Sequence, residues 1–159
     1  MTKSDLRSSE RRLLDLVQRD ATASVESLAE GAGMSASTAQ RRLRGFRADG
    51  TITAEVAVLD PGRCGYPTTF LVELELDHDR PERLPALHDW IRADAHVQSA
   101  WQVTGDADYL LVVQAASVEA FDAWSQAMMT ANRNVRKFTT SVALKTLKRS
   151  LRVPVGLEP

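Results

Sequence analysis

The spacing of the apolar residues changes near residue 60, and this change limits what the chain can fold into. Up to Gly50 apolar residues recur every three or four positions, as in amphipathic helices. After the breaker Asp60-Pro61-Gly62 they largely alternate with polar residues, as in half-buried strands. A chain of 159 residues is long enough for two small domains. We therefore predict an α+β protein with a helical domain over 1–50, a linker strand and hinge over 51–66, and a second, strand-containing domain over 67–159.

Three helices are predicted in the first domain, and the second and third have the spacing of a helix-turn-helix motif. Ser24 can cap the second helix and Gly33 can end it. Ser35 can cap the third helix, which Asp49-Gly50 stops. Two short helices joined by a glycine-containing turn define this motif. The β-rich alternation from Thr51 to Leu59 predicts a strand after the third helix, so the domain is expected to be winged-helix-like.

The third helix carries the residues that we expect to read double-stranded DNA. In this motif it lies in the major groove, and its N-terminal residues meet base edges. Between Ser35 and Arg47 there are four arginines and no acid, whereas a solvated helix face more often mixes both signs. The alternative is a plain three-helix bundle with a solvated basic face. The predicted contacts are Ser35, Ser37, Thr38, Gln40 and Arg41 near base edges, with Arg42, Arg44 or Arg47 facing phosphate.

The net charge of −1 does not argue against DNA binding, because the charges are segregated along the chain. Seven basic residues and no acid lie between Arg133 and Arg152, whereas nine acids and three bases lie between Glu73 and Asp108. Salt screens charges beyond about 8 Å, so the local charge decides what a phosphate encounters. The basic tail after Leu144 is interpreted as a solvated end, a partner for the acidic stretch, or a second DNA contact.

The second domain is predicted to be a ferredoxin-like sandwich with the order βαββαβ, which places both helices on one face of the sheet. Tyr109, Leu111, Val113, Leu71 and Trp101 cannot all face those helices. Because large exposed apolar patches are unusual in monomers, we expect a second copy to cover the other face. The predicted strands are Thr68–Leu76, Val97–Thr104, Asp108–Ala115 and Val135–Leu147, and the predicted helices are Pro81–Ala93 and Val118–Ala131.

Several classes of function are disfavoured by the sequence. The single cysteine, Cys64, can form neither an internal disulfide nor a zinc cluster. We find no signal peptide and no run of about 20 apolar residues, so we expect a cytoplasmic protein without a membrane partner. His78, His88 and His96 have no catalytic partner at useful spacing, and no phosphate-loop, dinucleotide or metal motif is present. We therefore expect no enzyme activity, no catalytic residue, no cofactor and no metal.

The resemblance of this chain to a known family depends on four stretches: Leu6 to Leu16, Ser24 to Ile52, Thr104 to Leu111 and Val135 to Lys148. In this order and spacing they resemble the Lrp/AsnC, or feast/famine, family of transcriptional regulators. The resemblance implies a second domain that dimerises and often builds higher rings such as octamers. It also implies effectors, typically amino acids, bound between subunits near a Gly-x-x-Asp-Tyr turn. The chain departs from the family where Asn132-Arg133-Asn134 replaces a frequent Pro-Gly.

The turn after the second predicted strand is where we expect the effector. Gly105 permits close approach and leaves N–H groups that suit a carboxylate. Asp106 and Asp108 offer acceptors for an ammonium group. The alternative is that Gly105 only permits the hairpin and Asp108 caps it. The full predicted effector set is Thr104, Gly105, Asp106, Asp108 and Tyr109, with hydroxyl groups from Thr140 and Ser141.

Taken together, these features predict a sequence-specific regulator whose DNA binding or assembly responds to an amino acid. One alternative is an architectural protein that coats DNA without sequence preference. A more distant alternative is an enzyme, because some decarboxylases of tetrapyrrole precursors resemble the same two-domain plan.

Overall fold

The computed structural model describes residues 6–77 and 81–156, which form two compact units. One unit contains the chain up to Ala57 together with the residues from Lys148 onward, and the other runs from Val58 to Leu147. The boundary predicted near residue 60 lies within a few residues of this division. The end of the chain, which we predicted in the second domain, belongs instead to the first unit. Within the described ranges, no helix combines the length and apolarity needed to cross a membrane.

The first unit is built on the three predicted helices: α1 Ser8–Val17, α2 Val25–Ala32 and α3 Ala36–Ala48. The Ser24 hydroxyl caps α2 by accepting from the Ser27 N–H at 3.2 Å. Ser35 caps α3 in the same way. Between them Gly33 has φ +68°, the left-handed conformation that lets the chain leave α2 and enter α3. The apolar stripes of the three helices meet in one core of Leu13, Leu14, Val17, Leu28, Ala29, Ala32, Ala39, Leu43 and Phe46.

The strand predicted from Thr51 to Leu59 is wrong, and the helical unit has no wing in the part of the chain that is described. Ile52 folds back on α3, where its N–H donates to the Phe46 carbonyl at 2.8 Å and its side chain packs on the helical core. Residues 53–60 have no regular secondary structure. A strand needs a neighbour to complete its ladder of hydrogen bonds, and the described residues supply none here.

The end of the chain packs along α1. The Gln18 side chain binds both backbone groups of Val153: its Nε2 donates to the carbonyl at 2.7 Å, and its Oε1 accepts from the N–H at 3.0 Å. Arg152 lies 3.2 Å from the Asp15 carboxylate, and Val155 packs against the helical core. The first unit is therefore assembled from both ends of the chain, and Arg152 pairs with α1 rather than with the acidic stretch.

The second unit has the predicted βαββαβ order, and its four strands form one antiparallel sheet with the order β2-β3-β1-β4. A short 3-10 turn, Pro81–Arg83, precedes the first helix. The second and fourth strands end two and five residues earlier than predicted. The strands are β1 Thr68–Leu76, β2 Val97–Gln102, β3 Tyr109–Ala115 and β4 Val135–Val142, and the helices are α4 Leu84–Ala93 and α5 Val118–Ala131.

Both helices cover the same face of this sheet. Alternate residues of β1 and β3 point into a core that α4 and α5 complete, and Phe70 stacks on Phe121 with ring centroids 3.8 Å apart. On the opposite face Leu71 is 49% exposed, Trp101 54% and Leu110 38%. The prediction that the large apolar side chains divide between two faces is thus confirmed. The buried strand residues are Phe70, Val72, Leu74, Leu76, Tyr109, Leu111, Val113, Ala115 and Val135.

Replacing Gln18 with alanine is expected to lower the free energy of unfolding by about 1–2 kcal/mol, because both backbone groups of Val153 lose their partner. Urea denaturation followed by circular dichroism measures this change. Gln126→Ala is the matched control, since the Gln126 amide binds only Asp122 on the exposed side of α5 among the described contacts. Equal losses in the two variants would show that the tail does not stabilise the first unit.

Candidate nucleic-acid interface and ligand turn

One face of α3 is open to solvent and carries four of the residues predicted to bind DNA. Ser37, Gln40, Arg41 and Arg44 are separated by three, four and seven positions, so they share one side of the helix. All four are exposed. The opposite side is fixed in the helical core by Ala39, Leu43 and Phe46.

Arg42 has a structural partner inside the helical unit. Its Nε lies 2.9 Å from Oε1 of Glu10, a carboxylate in α1 whose residue is only 7% exposed. The other oxygen, Oε2, accepts from the Arg7 N–H at 2.9 Å and so caps the start of α1. A buried carboxylate needs such partners, because an unpaired one is costly to remove from water. Arg42 therefore holds α3 against α1.

The other three arginines of α3 differ in whether they have an ion-pair partner. Arg47 pairs with Glu55 at 2.7 Å in the segment that follows the helix. Arg41 and Arg44 make no ion pair with any residue that the structure describes. The basic run seen in the sequence thus contains two arginines engaged within the unit and two whose charge is available to a ligand.

The start of α3 is stabilised by hydroxyl groups. The Ser35 Oγ accepts from the Thr38 N–H at 3.3 Å and donates to the Thr38 Oγ1 at 2.9 Å. The Ser37 hydroxyl lies 3.2 Å from the same Ser35 oxygen. Ser35 and Thr38 therefore form the helix cap, and both Ser35 and Ser37 are exposed to solvent.

The turn between β2 and β3 is attached to the end of β1 through Asp108. The Asp108 N–H donates to the Leu74 carbonyl at 2.8 Å, and its Oδ2 accepts from the Leu76 N–H at 2.7 Å. These bonds favour the alternative in which Asp108 caps the hairpin. Gly105 has φ +121°, and no neighbouring atom lies within 4 Å of where a Cβ would stand. Gly105 and Asp106 are exposed.

Tyr109 lies beneath this turn rather than on it. It is 3% exposed, and its hydroxyl is 2.6 Å from Nε2 of His88 on α4. Burial raises the pKa of Tyr109, and the nearby charge of Asp108 adds to this effect. His88 is therefore a packed helix histidine with a hydrogen-bond partner.

Thr140 and Ser141 are exposed but lie away from the turn within one chain. β1 runs between β3 and β4, and Thr140 pairs with Val72 and Ser141 with Leu71. The turn instead adjoins the Leu74 end of β1. The structure thus brings Thr104 to Asp108 together and separates them from the two hydroxyl groups by a strand.

Part of the acidic stretch is neutralised inside the second unit. Arg136 and Lys137 each lie 2.6 Å from the Glu75 carboxylate. The hydrogen bond from Lys137 is the largest cause that lowers the pKa of Glu75. These two cations precede the basic tail and are engaged with the sheet.

Two structural residues were missed by sequence reasoning, Glu10 and Gln18. A glutamate at the third position of a helix is a typical capping residue, so Glu10 had a recognisable signal. Gln18 had none, because its partner Val153 lies 135 residues away in the sequence.

Comparison with known families finds one match for each unit. Residues 10–47 match the AsnC-type helix-turn-helix domain, and residues 69–153 match the Lrp/AsnC ligand binding domain. The two matches cover α2, α3 up to Arg47 and the whole sheet except its first residue, Thr68.

Individual proteins resemble this chain over nearly its full length. A helix-turn-helix transcriptional regulator of Sinorhizobium fredii is 31% identical over 91% of this chain and 86% of its own. The crystal structure of an AsnC family transcriptional regulator from Agrobacterium tumefaciens has a TM-score of 0.88 and 27% identity, covering 94% of this chain and 97% of its own. The feast or famine regulatory protein of Mycobacterium tuberculosis complexed with L-methionine has a TM-score of 0.82 and 28% identity, covering 93% and 98%.

Proposed function

This chain belongs to the Lrp/AsnC family of transcriptional regulators, and from that premise we propose that it binds a specific DNA sequence and responds to an amino acid. The matched families and relatives are regulators rather than enzymes. The observation that carries the proposal is the exposed face of α3, on which a glutamine and two arginines without ion pairs in the described chain stand side by side.

The chemistry of that face suits a major groove. A glutamine can bond an adenine edge at two points, and an arginine a guanine edge. We assign base contacts to Gln40 and Arg41, with Ser37 at the start of the helix, and a phosphate contact to Arg44. Arg42 and Arg47 support this surface through Glu10 and Glu55 instead of reaching DNA themselves. Ser35 and Thr38 act by fixing the start of α3.

We further propose that the open face of the sheet joins two copies of the chain. Leu71, Trp101 and Leu110 form an apolar surface on strands whose other face is already buried. Monomers seldom expose such surfaces, and a second copy brings the same residues on its own sheet. Two-fold symmetry would then present two helix-turn-helix units to an inverted-repeat site, with half-sites about 34 Å apart or a multiple of it. Octamers or other rings are further assemblies of such dimers.

The effector site that we propose is the turn from Thr104 to Asp108. The backbone N–H groups at the exposed Gly105 can donate hydrogen bonds to a carboxylate, and the Asp106 carboxylate can accept hydrogen bonds from an ammonium group. Asp108 shapes the turn through its bonds to β1. The related Mycobacterium tuberculosis protein is described as complexed with L-methionine, which supports an amino acid as ligand.

Thr140 and Ser141 can join this site only if another copy supplies them. Within one chain β1 separates both hydroxyl groups from the turn. An effector bound between copies would therefore bias assembly, and through assembly the spacing of the two α3 helices. Such couplings are typically about 1–3 kcal/mol.

Alanine variants of the α3 face separate base reading from phosphate binding. The DNA target is a site that the parent protein selects from random sequences. Gln40→Ala and Arg41→Ala are each expected to lose about 1–3 kcal/mol of binding free energy for this site and to relax specificity at one position. Arg44→Ala should weaken binding to all sequences alike. It should also reduce the slope of the logarithm of the binding constant against the logarithm of the salt concentration by about 1. Mobility-shift titrations at several salt concentrations measure both effects.

Arg19→Ala is the matched control, since Arg19 lies in the turn just after α1 and pairs with Asp15. Unchanged binding by both Gln40→Ala and Arg41→Ala would show that α3 does not read bases. Failure of the selection to enrich any sequence would favour the architectural alternative.

The dimer proposal predicts that the parent is at least dimeric in light scattering at micromolar concentration. Trp101→Glu is expected to shift it toward monomer, because the carboxylate would be buried unpaired in the interface. Val118→Glu changes an equally exposed apolar residue on α5 and should leave the mass unchanged. A monomeric parent would overturn the proposal.

The effector proposal is tested by thermal shift against the common amino acids, since a ligand bound only by the native state raises the Tm. Gly105→Ala and Asp106→Ala are expected to lose the shift that the parent shows. Gly105 has a φ that alanine rarely adopts, and Asp106→Ala removes the exposed carboxylate. Asp89→Ala, on the exposed side of α4, is the control. If the same amino acid stabilises every variant equally while dimers persist, the effector binds elsewhere.

A further inference from the structure

We propose that the loop between α5 and β4 forms a second binding site, for a small oxyanion carried as a carboxylate or a phosphate group. This site is separate from the effector turn, since no residue from Thr104 to Asp108 lines it. It goes beyond the proposed response to an amino acid and does not depend on it.

The site is a cavity of about 310 Å³ beside the start of α4 and the end of α5. Its polar lining consists of two arginines, one hydroxyl group and two amides, and among the described residues that line it there is no carboxylate. This volume lies at the lower end of the range for small-molecule sites, about 300–1,000 Å³. The lining residues are Arg83, Ala86, Thr130, Ala131, Asn132, Arg133 and Asn134.

Asn134 is the residue that the fold alone does not explain. It is 2% exposed, and its Nδ2 has no hydrogen-bond partner among the described residues. Its backbone carbonyl accepts from the Asp77 N–H at 2.8 Å, so the backbone position is fixed. Buried amide donors without a partner are rare, because the lost bonds to water are not replaced. A ligand oxygen in the cavity would supply the missing acceptor.

The neighbouring asparagine shows the contrast. Asn132 is also buried, at 4% exposure, but its Nδ2 donates to the Met128 carbonyl at 3.0 Å and its N–H to the same oxygen at 2.9 Å. Asn132 therefore caps the end of α5. Of the two buried asparagines in this loop, one has a complete structural role and the other has an unused donor.

The charge in the cavity favours an anion. Arg83 and Arg133 make no ion pair within the described chain, so two full positive charges border the space. The carboxyl end of α5 opposes an anion with the equivalent of about half a charge, which is smaller than either guanidinium. Guanidinium groups match the geometry of carboxylate and phosphate oxygens with paired N–H donors.

The lining also limits the ligand. Ala86 and Ala131 are its apolar residues, so the cavity offers little surface to a large apolar side chain. A compact anion such as phosphate, or a short dicarboxylate such as succinate, fits this balance of charge and volume. Phosphate and dicarboxylates both present negatively charged oxygens that can accept hydrogen bonds from the arginines and the amide.

The experiment is a nuclear magnetic resonance titration of the full-length ¹⁵N-labelled protein. Inorganic phosphate and succinate are added separately at constant ionic strength, and the side-chain amide signal of Asn134 is followed. At least one anion is expected to shift this signal saturably. Arg133→Gln and Arg83→Gln are each expected to weaken that binding at least about tenfold, because each removes a charge-assisted hydrogen bond.

Arg92→Gln is the matched control, with the same loss of charge at the other end of α4, about 13 Å away by the rise of the helix. It should bind like the parent. Saturation by phosphate alone assigns the site to phosphate groups, saturation by succinate alone assigns it to carboxylates, and saturation by both assigns it to either. A shift that never saturates with either anion, or equal weakening in Arg92→Gln, overturns the proposal.

Discussion

Burial of only one face of a four-stranded antiparallel sheet is the constraint on which the second unit depends. β1 lies inside the sheet and pairs with β3 and β4. Because paired residues face the same side of the sheet, the alternation of apolar residues in β1 determines which residues of β3 and β4 face the core. The helices cover the face that contains Phe70 and Leu111, and the face with Leu71 and Trp101 stays open. The same strand fixes the turn before β3, because Asp108 bonds to the end of β1. The proposed assembly surface and the proposed ligand turn thus follow from one pattern of burial.

The first unit depends on contacts between residues far apart in the chain. Glu10 connects the start of α1 to α3, and Gln18 connects the end of α1 to Val153. The pair of Glu10 with Arg42 holds α3 by its packed side and leaves the other side to solvent. Because the chain returns to this unit after β4, the two units are joined by two covalent connections.

Electrostatic pairing decides which charges can serve a ligand. Arg42, Arg47 and Arg152 are held by carboxylates of the first unit, and Arg136 and Lys137 by Glu75 of the second. Arg41 and Arg44 on α3, Arg83 just before α4 and Arg133 just after α5 have no such partner among the described residues. A net charge close to zero therefore coexists with two positively charged surfaces, one facing DNA in our proposal and one bordering a small cavity.

The sequence by itself determined the elements and their order, since local signals encode them. Caps at Ser24 and Ser35, the left-handed Gly33 and the strict alternation of β1 are properties of neighbouring residues. Local pattern failed at Thr51 to Leu59, because a strand also requires a partner and no sequence signal supplies one. Only the tertiary structure decided which arginines stay free, that the chain end returns to α1, and that Asn134 is buried without a partner. Those outcomes depend on contacts across up to 137 residues, which the order of residues along the chain does not display.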